Sequence, residues 1–386
     1  MLDCQRHLFS LPDEIHYLNC AFMSPLLKSV EEAGMLGLQK KSLPHRISGV
    51  EFFDLPQESR RLFAKLINAP SYHTVSVLPS VSYGTAIVAK NIPIRKGQNI
   101  VSVVDEFPSN IYAWREHIHQ GVELRLVEAN DRKNKSQSWN EGILEAIDES
   151  TSVVILSTIQ WTDGTVFDLK KISQAAKKVG AVFVLDGTQS IGALPFDVQE
   201  IQPDVLIAAS YKCMMGVYSI GFAYWGERFA DAMPIEETWI GRKGSEDLRN
   251  LVNYQHEYNE GMAKFNVGEM ANFALIPAVN AALEQLLEWQ PQRVQEYCAS
   301  LNKHLSSLLE GTVFSFANPV NASSSRAEHL FGIGLPEGID CDRLQERFAE
   351  NNVYVSLRGD FIRISPSVYN TLADVEALAK VLRSFK

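Results

Sequence analysis

Two charged side chains stand at the ends of apolar runs, where neither is expected. Lys212 closes Val205-Leu-Ile-Ala-Ala-Ser-Tyr-Lys212, and Asp186 closes Ala181-Val-Phe-Val-Leu-Asp186. Both runs read as buried parallel strands, so both charges emerge at strand ends, where open α/β sheets place their ligands. A lysine there cannot easily snorkel to water. A buried amine near a buried carboxylate is costly unless something couples the two. Pyridoxal phosphate would do so: the lysine forms an imine with its aldehyde, and the carboxylate keeps the ring nitrogen protonated.

Other segments supply groups that such a site needs, each with a plainer reading beside it. Pro79-Ser-Val-Ser-Tyr-Gly-Thr-Ala86 precedes a helix expected over residues 85–91. Its backbone N–H groups could seat a phosphate at the helix N-terminus, or Ser82 could simply cap that helix. Phe107, at the end of another run, could stack on a flat ring or belong to the core. Trp161 and Thr162 line a pocket or merely precede the turn at Gly164. Gln189 could donate to the phenolic oxygen of a pyridoxal ring, while Asp186 could instead cap the turn that follows it. Arg363, between Ile362 and Ile364, wants a carboxylate, from an amino-acid substrate or from an internal salt bridge. Cys213 reads as a small buried hydrophobe.

The elements that must position these groups form a repeating pattern. Apolar runs at residues 74–78, 99–104, 152–157, 181–185, 205–209 and 220–225 alternate with helical stretches at 140–147 and 168–178. That alternation predicts an α/β fold with a mainly parallel sheet covered on both faces. Residues 226–270 are polar and irregular. Helices follow at 271–289 and 294–309, then apolar segments at 328–335, 353–356 and 361–365, and a last helix at 372–384. The expected division is an N-terminal segment (1–16) packing on a small domain, a large domain (17–270), and a smaller C-terminal α+β domain (271–386).

With 386 residues, 46% apolar and 21% charged, the chain is long enough for a sizeable core and two domains. A net charge of −10 with no basic block argues against nucleic acid or acidic membrane as the main partner. Five scattered cysteines without CxxC spacing argue against disulfides or a zinc knuckle, so no metal is expected. The N-terminus has no apolar signal core and no stretch is long enough to span a bilayer, which makes a reducing cytoplasm the expected compartment.

Taken in order, Tyr17-Leu-Asn-Cys-Ala21, Ser-Val-Ser-Tyr-Gly-Thr, Glu-Phe-Pro-Ser-Asn, Asp-Gly-Thr-Gln-Ser, Ser-Tyr-Lys and Ile-Arg-Ile-Ser-Pro resemble the class V aminotransferase group of fold-type-I pyridoxal-phosphate enzymes. That group includes cysteine desulfurases, kynureninases and isopenicillin-N-epimerase-like proteins. The resemblance implies a seven-stranded, mainly parallel sheet sandwiched by helices. It makes Lys212 the Schiff-base lysine and Asp186 the pyridinium partner, and places Gln189 near the phenolic oxygen. It assigns phosphate contacts to Ser82, the Val81 backbone, Ser210 and Tyr211, and ring stacking to Phe107. Trp161 falls where desulfurases carry asparagine. Arg363 would hold the substrate carboxylate, with Asn19 also on the substrate side.

The resemblance further implies a homodimer with shared sites. A loop at residues 261–272, around Asn266 and Gly268, would reach the neighbour's phosphate; Glu269 stands there where many relatives have threonine. The segment Val355-Ser-Leu-Arg-Gly-Asp-Phe361 lacks the mobile-loop cysteine of desulfurases, and Phe107 with Tyr211 leans toward kynureninases. The expected activity is an aminotransferase working through a Lys212 aldimine. The runner-up is a lyase (kynureninase-like or desulfurase-like) or an epimerase. Less favoured are a nicotinamide-dependent oxidoreductase, because Ser80-Val-Ser-Tyr-Gly-Thr85 is not G-x-G-x-x-G, and a non-catalytic binding protein on the same fold.

Overall fold

Residue-by-residue alternation inside the apolar runs decides how they are used. Val153, Ile155, Val182, Val184, Val205 and Ile207 join one buried cluster, whereas Val154, Leu156, Phe183, Leu185, Leu206 and Ala208 join another. Successive strand residues face opposite sides of a sheet, so both faces must be covered. Each buried aliphatic side chain adds roughly 1.5–3 kcal/mol of transfer free energy.

A computed structural model describes residues 2–131, 134–318 and 325–385. Its strands are β1 (His16–Tyr17), β2 (Val75–Leu78), β3 (Asn99–Val103), β4 (Glu123–Val127), β5 (Thr151–Ser157), β6 (Val182–Asp186), β7 (Val205–Ala209), β8 (Gly221–Trp225), β9 (Phe331–Gly334), β10 (Val353–Tyr354), β11 (Ser356–Arg358) and β12 (Phe361–Ile364). The helices are α1 (Lys28–Lys40), α2 (Glu51–Leu66), α3 (Val81–Asn91), α4 (Pro108–Tyr112), α5 (Arg115–His119), α6 (Lys135–Ala146), α7 (Leu169–Val179), α8 (Val198–Ile201), α9 (Leu275–Trp289), α10 (Pro291–Leu309), α11 (Cys341–Glu350) and α12 (Leu372–Leu382).

Seven strands form the main sheet in the order β2-β8-β7-β6-β5-β3-β4. Pairing is parallel from β7 through β4, and β8 runs antiparallel to both β7 and β2. Helices cover the two faces: Ile172 and Ala176 of α7 enter one cluster, Ile87 and Val88 of α3 the other. The helix α7 shows how local sequence sets an element. Asp168 caps it by accepting from Lys171 N at 3.2 Å, and Gly180 ends it with φ of 77°.

Beyond the main sheet, β11, β12 and β9 form an antiparallel three-stranded sheet, and β1 pairs in parallel with β10. The N-terminal segment thus runs against the C-terminal part, where Gln5 N also donates to Val368 O at 2.7 Å. The expected boundary at residue 270 falls just before α9, which packs on α1 and α2. Among the described residues no helix is long and apolar enough to cross a membrane.

Candidate active site

The segments leaving β2, β3, β5, β6 and β7 at their carboxyl ends surround a cavity of about 220 Å³. Lys212 lies in the turn after β7, fixed by Met215 N donating to Lys212 O at 2.9 Å and Gly216 N to Ser210 O at 2.8 Å. A Cβ on Gly216 would fall 2.8 Å from the Ser210 Cβ, so the turn needs glycine there. The Lys212 side chain is 7% exposed, with Nζ 5.5 Å from the Phe107 ring centre and 5.6 Å from that of Tyr211. It has no ion pair among the described residues. Burial pulls its pKa down to about 8; nearby Asp186 opposes this, whereas Arg363 and Arg358 reinforce it.

Asp186 ends β6 and is held on both oxygens. Thr188 N donates to Oδ1 at 2.9 Å, and Asn110 Nδ2 donates to Oδ2 at 3.1 Å. Capping of the following turn therefore occurs, but it uses only one oxygen, and the carboxylate still lines the cavity. Gln189, in that turn, donates from Nε2 to Ala21 O at 3.2 Å; its Oε1 is buried without a partner.

At the opposite side α3 begins at Val81, four residues earlier than expected, and its cap is Ser80 rather than Ser82. Ser80 Oγ accepts from Tyr83 N at 3.2 Å and Ser80 O from Gly84 N at 3.4 Å. The N–H groups of Val81 and Ser82 have no acceptor among the described residues at the cavity wall, the arrangement that attracts an anion. The helix can start here because Gly84 lets it close onto the sheet. A Cβ there would meet Ile207 Cδ1 at 2.8 Å.

Phe107 and Trp161 line the cavity with their rings 5.7 Å apart at 88°. Trp161 Nε1 donates to Asp105 O at 2.6 Å. Arg363 lies behind Trp161, its Nη1 donating to Trp161 O at 3.2 Å and its guanidinium 5.7 Å from the indole centre. This arginine is 2% exposed, has no carboxylate partner among the described residues, and leaves Nε unbonded. The internal salt bridge considered from sequence is not formed. Burial pulls its pKa down to about 10, with Arg358 next in effect. Asn19 is nearby in the backbone pairing: its Oδ1 accepts from Ser356 Oγ at 2.9 Å, and Ser356 pairs with Arg363.

Lys212, Asp186, Val81, Ser82, Phe107, Trp161, Gln189 and Tyr211 thus come together on one cavity. Ser210 is not on its wall; its hydroxyl donates to Val217 O at 2.7 Å. Asn266 and Gly268 lie elsewhere, Asn266 Oδ1 accepting from Val77 N and Gly268 N donating to Glu236. Glu269 lines a separate groove beside α1 and α2, and Arg358 lines a groove on the far side of Trp161.

Sequence reasoning missed Glu106, Asn110, Ser157 and Thr188. Glu106 lies two residues before α4 (Pro108–Tyr112) and Asn110 within it, so no helical spacing flagged the pair. An electrophilic carbonyl for Lys212, a protonated ring nitrogen for Asp186 and a phosphate for the α3 N-terminus would use the free groups on the cavity wall except Gln189 Oε1. The residues present fit pyridoxal phosphate.

The family model for aminotransferase class-V matches residues 38–378. An uncharacterized aminotransferase of Bacillus subtilis is 25% identical over 83% of this chain and 81% of its own length. A kynureninase of Bacillus cereus is 23% identical over 93% and 82%. The solved structure of a cysteine desulfurase from Thermococcus onnurineus superposes with a TM-score of 0.83, at 20% identity, covering 100% of this chain and 98% of that one.

Proposed function

The chain belongs to the class-V aminotransferase family, and from that premise we propose that it transaminates a free amino acid. Its cofactor is pyridoxal 5′-phosphate. When bound, that cofactor supplies an electron sink for the bond broken at the substrate Cα.

The chain's own residues divide the remaining work. The Val81 and Ser82 N–H groups, at the positive end of α3, would hold the phosphate. Asp186 would hold a proton on the ring nitrogen. Arg363 would take the substrate carboxylate, giving its buried guanidinium the anion it lacks. Lys212, once free, would remove the proton at Cα and deliver it to the cofactor's aldehyde carbon, two bonds away across the nitrogen.

The carrying observation is that Lys212 alone, among the cavity-lining side chains, has its pKa brought near neutrality, to about 8. One base moving one proton from the substrate Cα to a carbon two bonds away would serve the proton-transfer step of transamination. Desulfurase chemistry is less favoured at this site, since among the described residues no thiol lines the cavity and burial pushes the Cys20 thiol up to about 12 and Cys213 well above its ordinary value. A lyase is the second reading. Tyr211 favours it by position, its ring 5.6 Å from Lys212 Nζ on the cavity wall, although burial raises its pKa and makes it a weaker acid toward a leaving group.

Two further parts belong to this proposal. Exposed Phe22, Met23, Met35, Leu36 and Leu38 support a second copy packing near α1, and the free cysteines support a reducing, cytoplasmic setting. The deciding experiment incubates cofactor-loaded protein with an amino-acid panel and scores keto acid, sulfide, chain cleavage and stereochemistry. Keto acid with stoichiometric conversion of the cofactor to its amine form is expected. Sulfide from cysteine, chain cleavage or inversion alone would overturn transamination.

A further inference from the structure

We propose that Asn110 is a positioning residue that locks Asp186, with Glu106 as its anchor, and so sets how tightly a proton is held on the cofactor's ring nitrogen. This inference rests on the assignment of Lys212 and Asp186 above, but it concerns residues that do not touch the substrate.

The geometry is a two-carboxylate clamp. One amide nitrogen, Asn110 Nδ2, lies 3.1 Å from Asp186 Oδ2 and 3.1 Å from Glu106 Oε1. A primary amide has two hydrogens, so each carboxylate receives one. Glu106 is in turn fixed from three other donors: Phe107 N at 2.7 Å, Ser157 N at 2.7 Å and Ser157 Oγ at 2.5 Å. These donors come from the β3–α4 connection and from the end of β5, so the anchor is built into two neighbouring strand ends. Both Glu106 and Asn110 are buried. A buried carboxylate given four donors to one side is a costly feature to retain for packing alone.

The consequence falls on Asp186. With Thr188 N on Oδ1 and Asn110 on Oδ2, its carboxylate plane cannot rotate, and its remaining lone pairs stay available to the cavity that it lines. A fixed acceptor strengthens a charge-assisted bond because no reorientation opposes it. Releasing Oδ2 lets the carboxylate turn and weakens its hold on the ring N–H. The phosphate seat and Lys212 are untouched by that change.

The test loads wild type, Asn110→Ala and Asn110→Ser with pyridoxal phosphate carrying a nitrogen-15 ring label, and follows the ring-nitrogen shift against pH. Visible absorbance removed by Lys212→Ala first establishes that the cofactor is held through Lys212; its absence from wild type would overturn the functional reading and this inference together. Given that band, Asn110→Ala should lower the ring-nitrogen pKa by about one unit, roughly a tenfold loss of proton affinity. Asn110→Ser, which keeps a hydroxyl donor and a smaller perturbation, should fall between the two and serves if Asn110→Ala does not fold. A folded variant of either kind that loads normally and titrates as wild type overturns the clamp while leaving the functional reading intact.

Discussion

The floor and the mouth of the cavity are built on opposite terms. On the floor the carboxylates and the imidazole are fully engaged, although Gln189 Oε1 and Asn110 Oδ1 stay unpartnered among the described residues: Asp186 has a donor on each oxygen, Glu106 has four, and His329 beneath the Gln189 turn donates from Nε2 to Gln189 O at 2.6 Å while Nδ1 accepts from Gln295 at 2.8 Å. At the mouth stands Lys212, with Arg363 behind Trp161 and off the cavity wall; both are buried cations with no carboxylate partner among the described residues. A saturated network is rigid and costs little once made; an unpaired buried cation is destabilising until an anion or an electrophile arrives. The difference teaches which groups serve to hold shape and which wait for a ligand.

Breaking the mouth at its covalent point should give the largest effect. Lys212→Ala should abolish the borohydride-sensitive visible band and lower kcat by about 10²–10⁴-fold, measured on protein loaded at saturating cofactor. In the unsubstituted protein the free-amine fraction rises with pH. Loading of apo-protein should therefore quicken roughly tenfold per unit up to a pH of about 8 and level off above it; a flat profile would contradict the lowered pKa.

The floor should instead fail in acid. His329 is fully buried and neutral, its pKa pushed down to about 4 by burial, against an ordinary 6.5. Because the folded-state value is the lower one, its contribution is complete above pH 6.5 and is lost as pH falls toward 4, on the order of 3 kcal/mol. Urea unfolding of wild type and His329→Gln across that range should show the variant losing less. Parallel losses would remove His329 from the account.

Arg363→Met sharpens the contrast further. It should lower kcat/KM by about 1.5–3 kcal/mol through loss of a charge-assisted contact, yet leave the apo-protein as stable as before or more so. A large drop in Tm would mean that the guanidinium is a structural group. The smallest expected change is Gly84→Ala, where a Cβ 2.8 Å from Ile207 Cδ1 and 2.9 Å from Leu78 Cδ1 must displace those side-chain tips against α3. The cost is on the order of 1 kcal/mol, overpacking offset in part by the helix preference of alanine, with a few-fold weaker hold on the cofactor by equilibrium dialysis.

Much of this was legible without coordinates. Strands β5, β6 and β7 announce themselves because a strand buried on both faces must be apolar throughout, and a charge at its end is then conspicuous. The edge strand β4 does not: Glu123 and Arg125 interrupt it, as a strand with one exposed face allows. The start of α3 was misplaced because serines at 80 and 82 are equally good caps by type, and only the fold determines which one turns its hydroxyl inward. The first two helices were unread, since their apolar faces are matched to α9 rather than to a neighbour in sequence.

Chemical type and order along the chain were enough to select the cofactor and the sheet and to point to Lys212 and Asp186, which line one cavity, because each depends on a residue's polarity relative to its immediate neighbours. Satisfaction of those groups is another matter. Whether Arg363 has a partner, whether Asn110 reaches two carboxylates and which N–H groups of α3 stay free depend on distances between segments tens of residues apart. Hydrogen bonds vanish over an ångström of displacement, so only the packed chain could decide them.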